Sequence, residues 1–352
     1  MSTLFTPLTI RGIEMRNRLW VSPMCQYSAV DGIPNDWHHV HLAQFAAGGA
    51  GLVIAEATAV SPEGRISPDD VGLWNDAQVD AWTPIVAAVR ARGAVAGVQL
   101  GHAGRKASTT SPLTGGRGSV APEDGGWRTV APSALAYPGF AEPRELDAAG
   151  IEKVVTDFAD AARRAVAAGF QVLEVHAAHG YLLHQFLSPL SNHRDDEYGG
   201  SFDGRVRLIE RVTAAVRAAA PETAVFVRFS GTDAAEGGWD IDDTVRAAER
   251  VAAAGADLID VSSGGLVPHQ SIHPGPGYQV PLAETVRRET GLLVGAVGMI
   301  DDAGLAESVV AEGRADAVLS AREWLRDPHY ALRAAAELGA DVPAPPQYLR
   351  AY

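Results

Sequence analysis

Eight short apolar runs, rich in β-branched residues, recur along the chain at residues 19–22, 51–57, 94–100, 171–176, 224–229, 258–262, 292–297 and 317–320. Amphipathic, alanine-rich stretches of helical period lie between them, at 77–92, 151–168, 205–219, 242–254, 281–290 and 302–312. Nearly continuous apolar strands imply burial on both faces, the condition of a parallel sheet covered by helices. Eight such units joined by right-handed crossovers close on themselves, so the expected fold class is α/β, a (β/α)8 TIM barrel. A chain of 352 residues could hold two average domains, but barrels use this length as one. No shift in composition marks a boundary, and a single domain over residues 1–352 is expected.

Gly93, Gly169 and Gly255 each follow a helical stretch and precede a strand, which suits left-handed helix caps. The segments after the strands are longer. The longest, about 101–147, contains Gly115, Gly116, Gly118, Gly125 and Gly126 and exceeds a plain connector. It reads as an excursion over the strand ends, with the conformation of residues 109–130 open between an ordered loop and a disordered surface insertion.

The formal net charge of −14 argues against nucleic acid or an anionic membrane as partner. The single cysteine, Cys25, cannot form an internal disulfide, a Cys-rich zinc site or an iron–sulfur cluster. Residues 1–7 show no basic region followed by an apolar stretch, and no apolar run approaches the ~20 residues that span a bilayer. A cytoplasmic location is expected.

Barrel enzymes gather their functional groups at the C-terminal ends of the strands. Here those ends carry Ser22-Pro23-Met24-Cys25-Gln26-Tyr27, Glu56-Ala57, Gln99-Leu100-Gly101-His102, His176-Ala177-Ala178-His179-Gly180-Tyr181, Arg228, Ser262-Ser263-Gly264-Gly265, Gly298 and Ser320-Ala321-Arg322. Glu56 is the one carboxylate among them, and Glu174 shares the side of its strand with His176. Gly298 and Ala321-Arg322 read as a phosphate grip or as plain turn residues. The histidine pair could be two metal ligands, but a third protein ligand is missing; no metal is expected. Buried histidines bonded to backbone are a second possibility. A third suits the cluster better: His176 and His179 hold an oxygen while Tyr181 supplies a proton. No lysine follows strands four to eight, so Lys106 is the only Schiff-base candidate.

These segments resemble the flavin-dependent Old Yellow Enzymes, a family of ene-reductases, over essentially the whole chain. The resemblance is carried by His176–Tyr181 together with the stretches 187–194 and 197–201, and by Asn17-Arg18, 99–105 and 295–300. Cys25 after Ser-Pro-Met, the second histidine at 179 and the C-terminal stretch 347–352 resemble the thermophilic-like, xenobiotic-reductase subgroup. The resemblance implies an FMN site at Ser22, Pro23, Met24, Cys25, Ala57, Gln99, Arg228, Gly298, Ala321 and Arg322. Gln99 would bond the pyrimidine edge, Arg228 would face N1/O2, and Cys25 would tune the ring unless it is an inert buried thiol. Ala321 stands where the family has Gly, which makes the approach to the phosphate slightly less close.

By the same resemblance, NADPH or NADH is the reductant and α,β-unsaturated carbonyl compounds are the small-molecule substrates. His176 and His179 would hold the carbonyl oxygen, Tyr181 would protonate the α carbon, and Tyr27 would contact substrate from the opposite wall. Arg350 would enter a neighbouring subunit's active site, in a homodimer or homotetramer. A dienoyl-CoA-type reductase would need an iron–sulfur cluster, which one cysteine cannot hold. A metal hydrolase and a non-catalytic flavin sensor are the remaining rivals.

Overall fold

The eight apolar runs pair in chain order into one closed parallel ring. In this computed structural model residues 2–116 and 118–351 are described; Met1, Arg117 and Tyr352, part of the glycine-rich loop and the tail named above, lie outside the described residues. The strands are β1 (Leu19–Val21), β2 (Leu52–Ala59), β3 (Val95–Gly101), β4 (Val172–Ala177), β5 (Ala224–Ser230), β6 (Leu258–Ser262), β7 (Val294–Ala296) and β8 (Ala317–Ser320). Closure is made by β8 against β1, with Val318 opposite Leu19 and Ser320 opposite Val21.

Around the ring run α1 (Asp36–Ala47), α2 (Asp76–Arg90), α3 (Ala148–Ala168), α4 (Leu182–Leu187), α5 (Phe202–Ala219), α6 (Ile241–Ala253), α7 (Val280–Thr290), α8 (Ala303–Ala311), α9 (Arg322–Arg326) and α10 (Tyr330–Glu337). Six of these starts are fixed by short polar side chains that accept from the first free N–H groups: Asn35, Asn75, Asp147, Ser201, Asp240 and Asp302. Each such cap is worth ~1 kcal/mol. Gly93, Gly169 and Gly255 all have positive φ, as expected of left-handed caps.

Alternate strand residues point inward and form layers. The floor is apolar: Trp20, Leu52, Ile54, Val95, Val172, Phe226, Leu258 and Leu319. Trp20 and Phe226 stack at 5.9 Å, and the antiparallel hairpin Leu8–Ile10/Ile13–Met15 adds Ile10 and Met15 beneath them. One layer above the floor the same alternation presents polar groups: Gln99 opposite Glu174, and Arg228 opposite Asp260. In β2 the register slips between Ala55 and Ala57, so Ala57 rather than Glu56 takes the inward place beside Gln99.

The strand bounds read from sequence hold closely for β6 and β8, while β7 is shorter, because Leu292 and Leu293 stay outside the ladder. α1 has no counterpart among the helical stretches read above; its sequence, with three histidines in 12 residues, lacks a clear apolar stripe. Over its described residues the 101–147 excursion is ordered. It makes short 3₁₀ turns at Gly104–Lys106, Pro112–Thr114 and Pro122–Asp124 and a small parallel pair, Val130–Ala131 with Arg144–Glu145. It is pinned to the barrel by Trp127 Nε1 donating to Glu63 O at 2.8 Å and by the Arg65 guanidinium 4.7 Å from the Trp127 ring.

Candidate active site

β4 ends at Ala177, and the chain turns sharply before α4, with φ of 59° at His179 and 73° at Gly180. A Cβ on Gly180 would come within 2.3 Å of Gly265 O, so only glycine fits there. Side chains from other elements hold the turn. Lys106 Nζ donates to His179 O at 2.8 Å and Gly265 O at 3.0 Å, and Gln185 Nε2 donates to Gly180 O at 2.7 Å. Gly180 N donates to His184 Nδ1 at 2.9 Å, which leaves the ring proton on Nε2, 2.9 Å from Asp233 Oδ1. Asp233 also accepts from Ser188 Oγ at 2.6 Å and Trp239 N at 2.7 Å. With its ammonium on two carbonyls, Lys106 acts as a clamp rather than an amine nucleophile; burial, then Arg105, lowers it to about 8.

The turn brings three rings together. His176 lies 5.1 Å from His179 and 5.1 Å from Tyr181, edge to face in both cases. Burial, and then the charge of Arg228, pushes both histidines well below 6.5, so the imidazoles are neutral. His176 Nδ1 is buried without a partner, and His179 Nε2 sits 2.7 Å from Ser262 Oγ. Burial, then Cys25, Tyr27 and Asp70, drives the Tyr181 phenol far above its usual range, so it keeps its proton. Burial, then Asp70 and Glu56, does the same for the Cys25 thiol. Two neutral N–H donors and one protonated phenol can hold an oxygen and deliver a proton.

Beneath them lies the polar layer. Gln99 Nε2 donates to Glu174 Oε1 at 2.7 Å, Arg228 Nη1 to Ser22 Oγ at 3.1 Å, and Arg228 Nε stands 3.2 Å from Asp260 Oδ2. This corrects the carboxylate count at the strand ends. Glu56 faces outward, 3.3 Å from His38 Nε2 and accepting from Gln26 N at 2.8 Å, while Glu174 and Asp260 occupy the interior. Asp260 escaped sequence reading because it sits inside an apolar run; its place two residues before Ser262 is the signal that could have found it.

To one side a cavity of about 320 Å³ is lined by His179, Arg228, Gln279, Gly298, Met299, Ala321 and Arg322. Gly298 has φ 124°, and a Cβ there would meet the Gln279 side chain at 2.9 Å. Gln279 Nε2 donates to Val297 O at 3.0 Å and its Oε1 accepts from Ser263 Oγ at 2.7 Å. Arg322 is exposed and has no carboxylate partner among the described residues. α9 is a helix of only five residues, so its dipole adds little, and an anion in this cavity would be held by backbone N–H groups and Arg322.

Ser22, Pro23, Met24 and Cys25 run from β1 to Tyr27, which has φ 50° and lines an outer cleft of about 770 Å³ with Ile66, Thr109, Tyr137 and Phe140 of the excursion side. Ala57, Asp70, His102, His176 and Tyr181 meet in the small gap between cleft and barrel. Arg350 is exposed and is not brought to the site of its own chain. Its tail follows a groove lined by Arg16, Ala47, Arg92 and Gly93 at the far end of the barrel, with Tyr348 5.1 Å from His329. Among the described residues no cluster of three or more His, Cys, Asp or Glu is placed to hold a metal ion, and no helix is long and apolar enough to cross a membrane.

The barrel end thus combines a glycine-lined cavity beside Arg322, a guanidinium and amide facing its interior, and a neutral His/His/Tyr set. The NADH:flavin oxidoreductase / NADH oxidase family, the Old Yellow Enzyme family, matches residues 3–341, and the chain belongs to it. It is 44% identical to an NADPH dehydrogenase of Geobacillus thermodenitrificans over 100% of this chain and 99% of that protein. To the NADPH dehydrogenase of Bacillus subtilis it is 43% identical, over 99% of each. Among solved structures, morphinone reductase aligns with a TM-score of 0.81 at 30% identity, covering 98% of this chain and 92% of that one. A 2-naphthoyl-CoA reductase, of which the chain spans 52%, shares the fold with a TM-score of 0.86 at 24% identity.

Membership makes the chain an oxidoreductase with FMN as cofactor and a reduced nicotinamide as reductant. The residues fit that cofactor: the Gly298 cradle and Arg322 suit its phosphate, and the buried Arg228 and Gln99 suit an oxygen- and nitrogen-rich ring edge.

Proposed function

We propose that this enzyme reduces the C=C bond of α,β-unsaturated carbonyl compounds at the expense of NADPH or NADH. The observation that carries this reading is the single turn that packs neutral His176 and His179 against the protonated Tyr181. FMN would be held by Ser22, Pro23, Met24, Cys25, Ala57, Gln99, Arg228, Gly298, Ala321 and Arg322. When bound, it supplies hydride transfer from the nicotinamide to the β carbon of the substrate.

His176 and His179 donate to the substrate carbonyl oxygen and stabilise the negative charge that develops there. Being neutral, each imidazole has one N–H to give to that oxygen. Tyr181 delivers its proton to the α carbon. Tyr27 and the excursion wall the outer cleft. Cys25, kept as a thiol, offers a weak donor near the ring. In a homodimer or homotetramer Arg350 would complete a neighbouring subunit's cleft, and the location would be cytoplasmic.

The test is anaerobic NADPH and NADH oxidation with a panel of enones, with product analysis. Stoichiometric formation of saturated carbonyl compounds is expected. Nicotinamide oxidation that leaves every enone unreduced would overturn the reading. Removing residues 347–352 should weaken phenol binding if Arg350 reaches a second subunit.

A further inference from the structure

Two carboxyl groups, one guanidinium and one amide make up the layer under His176. Glu174 and Asp260 are both 0% exposed. Gln99 donates to one oxygen of Glu174, and Arg228 Nε stands 3.2 Å from Asp260. The other Glu174 oxygen and both Asp260 oxygens are buried with no hydrogen-bond donor.

What surrounds the pair is nearly free of charge. Below are Trp20, Phe226, Leu258 and Leu319. Above are Ser22 and the neutral His176; β2 contributes Ala57, since its Glu56 faces His38, and β7 contributes Gly295. Arg228 is therefore the one positive charge in the layer set against two carboxyl groups. If both ionised, one negative charge would be buried without a counter-ion, a costly state. Two carboxylates are also acceptors only, so neither could bond the other. A single proton turns one into a donor and supplies the missing partner.

We propose that Glu174 and Asp260 hold one proton between them, resident on Glu174, with Asp260 ionised against Arg228, so that the layer beneath the cofactor is electrically neutral. Burial, and then the charge of Asp260, raises Glu174 well above the usual carboxyl range; burial raises Asp260 too, with Arg228 opposing it. Glu174 is a positioning residue. It acts on Gln99 through their hydrogen bond and on the Arg228–Asp260 pair by withholding a second negative charge, which keeps the layer neutral and not negative toward what lies above it. This second role rests on the proposed seat of FMN over the layer.

Infrared spectroscopy of the FMN-free protein and the holoenzyme tests the shared proton. At neutral pH a carboxylic-acid carbonyl band should be present in wild type and missing in Glu174→Gln. It should also be missing in Asp260→Asn, where Glu174 becomes the only counter-ion to Arg228 and ionises. Carbon-13 labelling of glutamate carboxyls, which needs no variant, should move the band and so separate it from one due to the buried Asp70. A wild-type spectrum with no glutamate acid band overturns the proposal. In the holoenzyme the midpoint potential of wild type should fall more steeply above neutral pH than that of Glu174→Gln, because ionised Glu174 opposes gain of negative charge; parallel curves would remove its electrostatic role. An FMN affinity untouched by Gln99→Ala would instead sink the seat of FMN over this layer, and the band in the FMN-free protein would still report on the proton.

Discussion

The two ends of the barrel are built from opposite materials. At the entry end of the strands Trp20, Phe226 and their neighbours form a closed apolar plug, backed by Ile10 and Met15 of the N-terminal hairpin. At the exit end the interior is polar, with unpartnered buried atoms on His176, Glu174, Arg228 and Asp260. Backbone strain divides the same way. Among the described residues the non-glycine positions of positive φ are Arg11, Tyr27, Asp31, Ser108, His179, Ala234 and Met299, and all but Arg11, in the N-terminal hairpin, lie in segments that follow barrel strands. One end stabilises the molecule, and its surplus tolerates the strain and unmet hydrogen bonds of the other.

Variants at the two ends should therefore separate rate from stability. Tyr181→Phe should slow the enone-consuming step by roughly 10²–10⁴-fold or less while leaving thermal stability nearly unchanged. Rapid mixing of the reduced enzyme with enone reads the first and calorimetry the second; equal losses in both would break the division. Trp20→Ala should do the converse, costing about 3–5 kcal/mol in urea unfolding with the flavin spectrum of the folded fraction intact.

Asp70 sharpens the comparison, because it is an exit-end group whose ionisation works against folding. Burial raises it from 3.8 to about 7. The native state thus binds a proton that the unfolded chain has released. That contribution is complete below pH 3.8 and is lost as pH rises through about 7. In Asp70→Asn this loss disappears, so the stability of the variant relative to wild type should climb by up to ~1.4 kcal/mol per pH unit across that window. A flat difference would show that Asp70 ionises freely. Smallest of all, His176→Ala should weaken a bound phenol about tenfold, the worth of one hydrogen bond. In wild type that affinity should show no inflection from the imidazoles near their ordinary 6.5, because both are already neutral there. Titration of the flavin spectrum with phenol reads both.

The barrel was legible because each strand carries its own signal; the runs at 258–262 and 317–320 match β6 and β8 as observed. His176, His179 and Tyr181 were legible for the same reason, since six contiguous residues deliver them. The polar layer was legible only in part: Gln99, Arg228 and the inward side of Glu174 could be read from the strands, but not Asp260 or the pairing. Gln99 and Glu174 are 75 residues apart, and only closure of the ring sets them 2.7 Å apart. Asp260 is hidden between Leu258 and Ser262 in a wholly buried strand. The excursion left two readings open because its order comes from distant anchors, such as Arg65 against Trp127, rather than from its own pattern.

The slip in β2 between Ala55 and Ala57 works as a parity switch. Leu52 and Ile54 face the lumen, and an unbroken strand would send Glu56 there next, a third acid in a chamber with one guanidinium. One extra residue rotates that acid out to His38 and puts a methyl group in its place. The charge of the chamber is thus set partly by a register slip: straightening the strand with every residue kept would carry Glu56 into the lumen, whereas deleting the extra residue would leave Ala57 there.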